Sequence, residues 1–371
     1  YPYIVADSVG GDLTTEEYAF GGGYARRIGR FDIALRGDYR AAQEYRQVDP
    51  RPHNVVSDFT FRLGAGMELG RSVLILDLRG RLYKQNSRIS FFNETNTVRE
   101  LFMAGLGSIL QRYSGKSGST LTAYTGRGYA VAAQLMPHRP EGWYARAEYS
   151  RFTTDRNYRP NNSIPVSTLR TQRGEAHVAY RAGRWSLGAY AARSQRLGIE
   201  MVADRTGQGT PVDRQAMYEN RIWQAGAEAT VEWRRGNRRY ALRPGVEWQQ
   251  SAAEYLWPAR EMTLSRLGGS LRGHAEWLFA RWRFKASLGI GCYGAPSGTL
   301  SLPGLADYLA EYLTGTAERL NSRTLAPEAG FRAERRLRGR TACFAEAGWS
   351  PRLYEGGLAE HNLTAACGFL F

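Results

Sequence analysis

The sequence predicts an all-β fold, a closed antiparallel transmembrane β-barrel of about 16 strands (about 14–18) with short periplasmic turns and long extracellular loops. Three observations predict it. Apolar and polar residues alternate in long segments, short connections alternate with long ones along the chain, and the composition is unusual. The 371 residues include 22 Tyr, 9 Trp and 42 Gly, yet the mean hydropathy is −0.47. Strands with one face in lipid and the other in water produce such a composition. We expect residues 1–371 to form a single domain.

The alternation has a period of two residues and recurs along the whole chain. Within 31–45, the apolar Phe31, Ile33 and Leu35 alternate with a set that is mostly charged, which places the two sets on opposite faces of a strand. Such segments run for about 12–18 residues, more than the ~5–6 of a soluble strand and enough for a tilted membrane strand of ~9–11. Trp223 and Trp233 stand at the two ends of one apolar face, as expected for interfacial aromatic girdles.

Fifteen strands are predicted in this way. They lie near residues 15–28, 31–46, 58–69, 72–84, 121–136, 142–155, 171–182, 184–196, 217–234, 238–253, 263–278, 281–293, 321–336, 340–353 and 359–371. Short turns near 29, 70, 183, 236 and 338 alternate with longer polar connections near 47–57, 85–120, 156–170, 197–216, 254–262 and 293–320. We expect 85–120 and 293–320 to be long outer loops.

An odd strand number conflicts with the even number usual in bacterial single-chain barrels. Either one strand is hidden in 1–12 or 99–113, or at least one strand precedes Tyr1. We favour a missing N-terminal segment, with 1–12 as the loop that follows it. Closure matters because an open sheet edge in lipid leaves backbone groups without hydrogen-bond partners.

Charge and cysteine content narrow the class of protein further. The formal charge of +15 comes almost wholly from arginines, which are spread along the chain and alternate with apolar residues. This distribution argues against nucleic-acid binding and favours a wet lumen in which arginine pairs with acid. No apolar run approaches the ~18–20 residues of a membrane-spanning helix. Cys292, Cys343 and Cys367 predict neither a disulfide framework nor a zinc site, and we expect them to be small residues within strands.

The inward charged rows supply the candidate lumen-lining residues. These are Arg36, Asp38, Arg40, Arg62, Arg79, Arg81, Glu228, Glu232, Arg239 and Arg243. Their mixed charge fits paired, lumen-filling ladders as readily as a path for anions. The long loop 85–120 is able to fold inward as a constriction or plug, as a long structureless loop in a compact domain often serves a function. The stiff segment 49–52 is consistent with a recognition role or with plain loop architecture.

Two further segments carry specific expectations. In 293–320, Ser301 as a cap and Pro303 in the first turn suggest a helix with one apolar face. That face, formed by Leu305, Tyr308, Leu309, Tyr312 and Leu313, packs on the barrel or docks another protein. At the C-terminus, an alternating strand with Phe369 and Phe371 resembles the signal by which outer-membrane barrels are recognised for insertion.

No pattern in the sequence indicates catalysis, a cofactor or a metal site. The motifs G-x-S-x-G and H-E-x-x-H and the phosphate-binding P-loop are all missing from the chain. Of the five histidines, only His361 has acids close in sequence, Glu355 and Glu360, and this cluster is weak. We therefore expect a non-enzymatic protein, with a surface hydrolase as the least favoured alternative.

Several sequence segments together resemble those of a known family. They are YPYIVADSVGGDL at 1–13, EEYAFGGGYA at 16–25, DYRAAQEYRQVDPRPHNVVSD at 38–58 and YTGRGYAVAAQLMP at 124–137. The chain resembles an uncharacterised family of Gram-negative outer-membrane β-barrels, a domain of unknown function. The resemblance implies genes encoded beside a TonB-dependent transporter and a surface lipoprotein, and it brings no catalytic residues.

These observations lead to two functional hypotheses. The first is an accessory subunit of a TonB-linked outer-membrane uptake assembly, in contact with outer-membrane lipid and lipopolysaccharide and partnered by a TonB-dependent transporter and a surface lipoprotein. The second is a passive porin-like channel for small solutes, anions among them, since about sixteen strands leave room for a water-filled pore. Both place the protein in the outer membrane of a Gram-negative bacterium.

Overall fold

A computed structural model describes residues 2–7, 9, 11–91, 100–114, 120–158, 163–203, 211–337 and 341–370. Within these residues the chain forms one large antiparallel sheet of 17 strands, a separate two-stranded sheet and one helix. The all-β prediction is therefore confirmed.

The elements follow one another along the chain as a meander. The strands are β1 (Val5–Asp7), β2 (Thr14–Ile28), β3 (Phe31–Tyr45), β4 (Arg51–Leu69), β5 (Ser72–Ser90), β6 (Glu100–Phe102), β7 (Thr120–Pro137), β8 (Gly142–Tyr158), β9 (Ile164–Ala182), β10 (Trp185–Ala203), β11 (Pro211–Arg235), β12 (Arg238–Tyr255), β13 (Arg260–Leu278), β14 (Trp282–Ser301), β15 (Thr324–Arg336), β16 (Ala342–Trp349), β17 (Arg352–Tyr354), β18 (Ala359–Glu360) and β19 (Leu363–Leu370). The helix α1 (Asp307–Asn321) lies between β14 and β15.

Register between the strands follows the sequence alternation. Leu63 on β4 pairs with Leu78 on β5, and Leu78 pairs with Val131 on β7, so apolar residues form a continuous row across three strands. A slip of one residue would exchange the two faces. Tight turns at Gly29, Gly70, Gly183 and Gly236 hold the register, and each of these glycines has positive φ, which residues with a Cβ adopt at a cost.

The two faces of the sheet differ in exposure and in chemistry. One carries large apolar side chains that face away from the protein, for example Leu78 at 43% exposed, Val131 at 50% and Leu187 at 64%. The other carries ion pairs that reach over an intervening strand: Arg79 on β5 contacts Glu148 on β8, with β7 between them. A second pair of this kind joins Arg181 on β9 to Glu232 on β11, with β10 between them. These pairs are consistent with a concave charged face, and the apolar face that points away from the protein is the outer one.

The sheet has 17 strands among the described residues, against about 16 expected, because the predicted strands 340–353 and 359–371 are each divided into two. Fifteen of the 17 have eight or more residues, which is the number that the alternation predicts. The alternative that a further wall strand is hidden in 1–12 or 99–113 is wrong for the described residues. The strands found there, β1 and β6, pair with each other and not with the large sheet. Fourteen antiparallel pairings lead from β2 to β19, so these two strands run in the same direction.

Strands extend further towards the long connections than the alternation indicated. β5 continues to Ser90 and β14 to Ser301, into the segments 85–120 and 293–320. The reason is that the outer ends of these strands carry mostly small and polar residues, which removes the alternation while the backbone pairing continues. For the same reason Ser301 does not cap the helix. α1 starts at Asp307 with Ala306 at its N-cap, and no side chain caps it.

Across the described residues, α1 included, we find no helix with the length and apolar character needed to cross a membrane.

The outer apolar row gives a direct test of which face meets lipid. We expect Leu78→Arg to lower the free energy of unfolding by about 2–4 kcal/mol in lipid vesicles, because an arginine near the bilayer midplane of a barrel costs that much. Arg62→Gln, on the opposite face of the neighbouring strand, should change it by less than about 0.5 kcal/mol. Urea unfolding followed by tryptophan fluorescence measures both, and an equal loss in the two variants would contradict the assignment.

Candidate functional site: an inner cap at the loop end of the sheet

Residues 2–7 and 100–114 form a small unit on the charged face, which we call the inner cap. β1 and β6 pair within it, with Val5 opposite Phe102, and the amide of Met103 donates to the carbonyl oxygen of Ile4 at 2.9 Å. The cap contacts successive strands from β8 to β13, which only a concave face allows. It lies at the end of the strands that carries the long connections.

Arg156 on β8 is the central contact between the wall and the cap. Its side chain is 2% exposed. The guanidinium donates to the carbonyl oxygens of Ile4 and Met103, both at 3.2 Å, and to the hydroxyl of Ser167 at 3.1 Å. The rings of Phe102 and Tyr3 lie 5.3 and 5.7 Å from its central carbon. A buried guanidinium needs these partners, because desolvation of an unpaired cation costs several kcal/mol.

Tyr3 anchors the N-terminal half of the cap. Its hydroxyl donates to the Glu200 carboxylate at 3.0 Å, and the hydroxyl of Tyr255 donates to the same oxygen at 2.9 Å. Burial, together with the negative charge of Glu200, raises the pKa of Tyr3 well above its ordinary value, so the phenol stays a donor. The ring occupies space that Gly198 leaves free, since a Cβ there would stand 2.1 Å from the ring.

The second half of the cap has its own apolar core. Phe102 is fully buried and packs against Tyr113, Tyr158 and Val166. The ring centroids of Phe102, Tyr113 and Tyr158 are 5.6–5.8 Å apart, within the range of favourable aromatic pairs. The amide of Phe102 donates to the hydroxyl of Ser114 at 2.9 Å. These contacts fix the segment 100–114 against β8 and β9.

Arg260 joins the cap to the segment that precedes α1. Its guanidinium donates to the carbonyl oxygens of Leu106, Pro303 and Gly304 at 3.1–3.3 Å and to the hydroxyl of Ser108 at 3.0 Å. The side chain is 6% exposed. One arginine at the start of β13 therefore holds two loop segments that are distant in sequence.

Two further features show that the cap is held in a defined conformation. Arg46, after the end of β3, forms an ion pair with Asp7 at 3.0 Å, and both side chains are about nine-tenths buried. Among the described residues, the non-glycine residues with positive φ are Tyr3 and Leu106, and both belong to the cap. Such conformations cost about 1–3 kcal/mol each and persist where surrounding contacts enforce them.

Most of the predicted lumen-lining residues form ion pairs on the charged face. Asp38 pairs with Arg36 at 2.6 Å, Asp58 pairs with Arg81 at 2.6 Å, and Glu232 pairs with Arg181 at 2.8 Å. The other contacts are Arg40–Glu17 at 3.0 Å, Arg79–Glu148 at 2.6 Å, Arg239–Glu276 at 3.8 Å and Arg243 to the Thr230 hydroxyl at 3.3 Å. Arg62 is in register with Arg36 and Arg79, and Glu228 with Gly188 and Gly245.

Beyond the ladders, towards the short turns, the charged face surrounds a cavity of about 950 Å³. Its lining includes seven basic side chains and three acidic ones, Glu232, Glu276 and Glu346. Arginines line the cavity from β9 to β15. The concave side therefore carries the cap along β8 to β13 at one end and retains space at the other.

The apolar residues predicted to form one face of the helix differ in their exposure to solvent. Leu305 and Leu313 face the cap, where they stand about 3.0 Å from the position that a Cβ on Gly107 would take. Leu309 is partly buried as well, whereas Tyr308 and Tyr312 are 57% and 66% exposed. The leucines thus pack on the protein, and the two tyrosines face solvent.

The remaining predicted residues are dispersed. Phe369 lies on β19 and is exposed, and Phe371 lies outside the described residues. His361 stacks on Trp349 with centroids 6.3 Å apart, while Glu360 accepts a hydrogen bond from the hydroxyl of Tyr354 at 3.1 Å. Across the part of the chain that the structure describes, no three His, Cys, Asp or Glu side chains are placed to hold a metal ion. Cys292, Cys343 and Cys367 lie in strands, as expected.

Sequence reasoning missed the residues that hold the cap. Arg156, Glu200, Tyr255 and Arg260 all fall in segments taken for long connections. One signal was present: Arg156 keeps the inward parity of Arg146 and Glu148 along β8, which extends the strand beyond its predicted end. The cap contacts themselves join residues up to 197 positions apart and leave no local pattern.

The architecture defines the class of protein. A concave charged face, an outer belt of exposed apolar residues and aromatics at both ends of that belt belong to an outer-membrane β-barrel. Trp223 and Trp233 on β11 are both exposed on the outer face. Their ten-residue separation amounts to ~33 Å along the strand, or ~25 Å of height at the usual tilt.

A family model matches the chain over its whole length. Residues 1–371 match the model of a family of unknown function, DUF6850, and the protein belongs to that family. No curated protein matches it.

Several solved structures are similar at low sequence identity. A bacterial polysaccharide outer membrane secretin is 12% identical, with 91% of this chain and 89% of that chain covered and a TM-score of 0.44. The copper transporter OprC is 11% identical, with 95% and 65% covered and a TM-score of 0.48. The β domain of the Bordetella autotransporter BrkA is 11% identical, with 75% and 96% covered and a TM-score of 0.32.

The close approach of Gly198 to Tyr3 gives a test of the cap. We expect Gly198→Val to displace the Tyr3 ring and to speed amide hydrogen exchange in residues 2–7 and 100–104, because a Cβ overlaps the ring. Gly174→Val is the matched control, since a Cβ at Gly174 meets no atom within 4 Å. Equal exchange in the two variants, measured by mass spectrometry on the full chain, would show that the cap does not depend on this contact.

Proposed function

We propose that this protein is a non-enzymatic outer-membrane β-barrel that is closed on its loop side by the inner cap and acts as an accessory subunit of a TonB-linked uptake assembly. The single observation that carries the proposal is the cap itself. Arg156 is buried and holds both segments of the cap against the concave face, so the cap covers part of the lumen in this conformation. We infer that the lumen opens, or the loops are presented, when a partner binds.

The proposal includes closure of the wall. In the strand order β19 is followed by β2, and the two strands run in the same direction. We propose that the wall closes at this junction. The support is physical: each backbone group left unpaired in hydrocarbon costs several kcal/mol.

The partner part of the proposal is supported by the exposed face of α1 and by the family resemblance. Tyr308 and Tyr312 are large, aromatic and exposed on the loop side, and tyrosine is enriched where proteins bind one another. Leu313 of α1 and Leu305, which lies just before the helix, stand against Gly107 of the cap. A partner that binds the tyrosines would thus be mechanically connected to the cap through α1.

A second candidate function is passive diffusion of small anionic solutes. The observation that favours it is the cavity of about 950 Å³ with its excess of basic side chains. The cap argues against it, because it occupies the opposite end of the concave face. Conductance in the presence and absence of an intact cap distinguishes the two functions.

We expect the wild-type chain to show low conductance in planar bilayers and Arg156→Ala to raise it at least about threefold. Removal of the guanidinium takes the arginine donor from the carbonyl oxygens of Ile4 and Met103, of which, among the described residues, only that of Ile4 keeps another donor, the amide of Met103. A polar group that loses its partner in this way costs about 1–3 kcal/mol, so the cap should detach for part of the time. Arg79→Gln, a lumen arginine that does not contact the cap, is the control. A wild-type chain that conducts as well as Arg156→Ala would favour the passive channel.

The partner is tested by purification from native membranes in a mild detergent. We expect a TonB-dependent transporter and a surface lipoprotein to co-elute with the tagged chain, and Tyr308→Ala/Tyr312→Ala to reduce their recovery at least about fivefold, since exposed aromatic residues often dominate binding energy. Thr314→Ala/Glu318→Ala on the same helix should leave recovery unchanged. Recovery of the chain alone from the wild type would contradict the accessory role.

A further inference from the structure

An external groove of about 770 Å³ lies on the outer face of strands β7 to β11, near their loop ends. Its lining carries four arginines, Arg127, Arg151, Arg170 and Arg214, and one acid, Asp155. Arg156 also borders it through β8, although its side chain points to the cap. The groove is thus strongly basic, in contrast to the apolar surface below it.

The register shows that these arginines are on the lipid-facing side of the wall. Tyr129 and Tyr149 are exposed on the outer face, with ring centroids 6.3 Å apart. Arg127 is two residues from Tyr129, and Arg151 is two residues from Tyr149, so each arginine shares a face with its tyrosine at a spacing of about 7 Å. Arg170 belongs to the same face, because Thr153 pairs with both Arg127 and Arg170.

The groove arginines differ from the lumen arginines in whether they form ion pairs with carboxylates. On the concave face Arg36, Arg79 and Arg81 each have a carboxylate at 2.6 Å. Within the described residues, none of the four groove arginines has an ion pair, and the Nε of Arg170 is buried without a hydrogen-bond partner. Asp155 instead accepts a hydrogen bond from the hydroxyl of Thr168 at 2.6 Å. Four guanidinium groups are therefore available to an anion from outside.

We propose that this groove binds the phosphates of a phosphorylated glycolipid of the outer leaflet, of the lipopolysaccharide type. Three features together define the ligand. Guanidinium groups recognise phosphate through paired, charge-assisted hydrogen bonds. The tyrosines stand where the interface between headgroups and acyl chains lies. Below them Val131, 50% exposed, continues the apolar surface on which acyl chains pack. A free phosphate would use only the first of these features.

This inference rests on the orientation in the proposed function, with the long connections outward. The two are tested separately. Labelling of intact cells at Ser163→Cys, an exposed position beside the groove, reports the orientation when compared with the wild-type chain. Lipid binding is measured on purified protein in detergent and does not depend on conductance or on a partner.

The experiment uses native mass spectrometry to measure how tightly bis-phosphorylated lipid A binds to the full wild-type chain and to two variants. We expect Arg127→Gln/Arg151→Gln/Arg170→Gln to bind at least about tenfold more weakly than wild type, because hydrogen bonds to charged groups are the strong ones. Arg26→Gln/Arg30→Gln/Arg71→Gln removes the same charge at the short-turn end and should bind as wild type does. Binding should also weaken as salt concentration rises.

Each other outcome overturns the inference. Unchanged binding by the groove variant, or an equal loss in the control variant, shows that the groove is not the site. Equal binding of dephosphorylated lipid A shows that phosphate is not recognised, and competition by inorganic pyrophosphate at equal concentration shows that the lipid part is not needed. If the triple groove variant does not fold, the single variant Arg170→Gln tests the inference instead. We expect its affinity for lipid A to be about threefold lower than that of the wild type.

Discussion

Backbone hydrogen bonding between successive antiparallel strands is the constraint on which the rest of this structure depends. In lipid every amide and carbonyl must find a partner inside the protein, and a meander of long strands meets this demand with short turns at one end. Once strands pair in register, side chains are forced to alternate between two environments. The apolar row of Leu63, Leu78 and Val131 and the ion pair between Arg79 and Glu148 are consequences of the same ladder.

The concave face shows how one residue type serves different purposes according to its surroundings. Arginines near the middle of the strands pair with acids and fill the lumen. At the loop end, Arg156 and Arg260 are buried and bind backbone carbonyl oxygens of the cap. On the outer face, Arg127 and Arg151 lack acidic partners among the described residues. Local charge density, rather than arginine content, therefore separates structural ladders from candidate recognition sites.

The wall was predictable to a large extent, and the cap was not. Fifteen long strands follow from the alternation, because the residues that decide each face are neighbours in sequence. The inward folding of part of 85–120 was foreseen only as a possibility. Its partners were not foreseen, since Tyr3 and Glu200 meet across 197 residues. The helix was expected in the right loop, but its start was misplaced because β14 continues to Ser301 without an alternating pattern.

By itself the amino-acid sequence determined the fold class, the number of long strands and the chemistry of the two faces, because period-two alternation is a local property that a strand must obey. Only the tertiary structure decided that residues 2–7 and 100–114 meet beneath Arg156, and that Leu313 of α1 faces the cap while Tyr308 and Tyr312 face solvent. It also decided that arginines without an ion pair among the described residues gather above Tyr129 and Tyr149. These arrangements depend on curvature, which brings distant strands together on the concave face and aligns their outer ends.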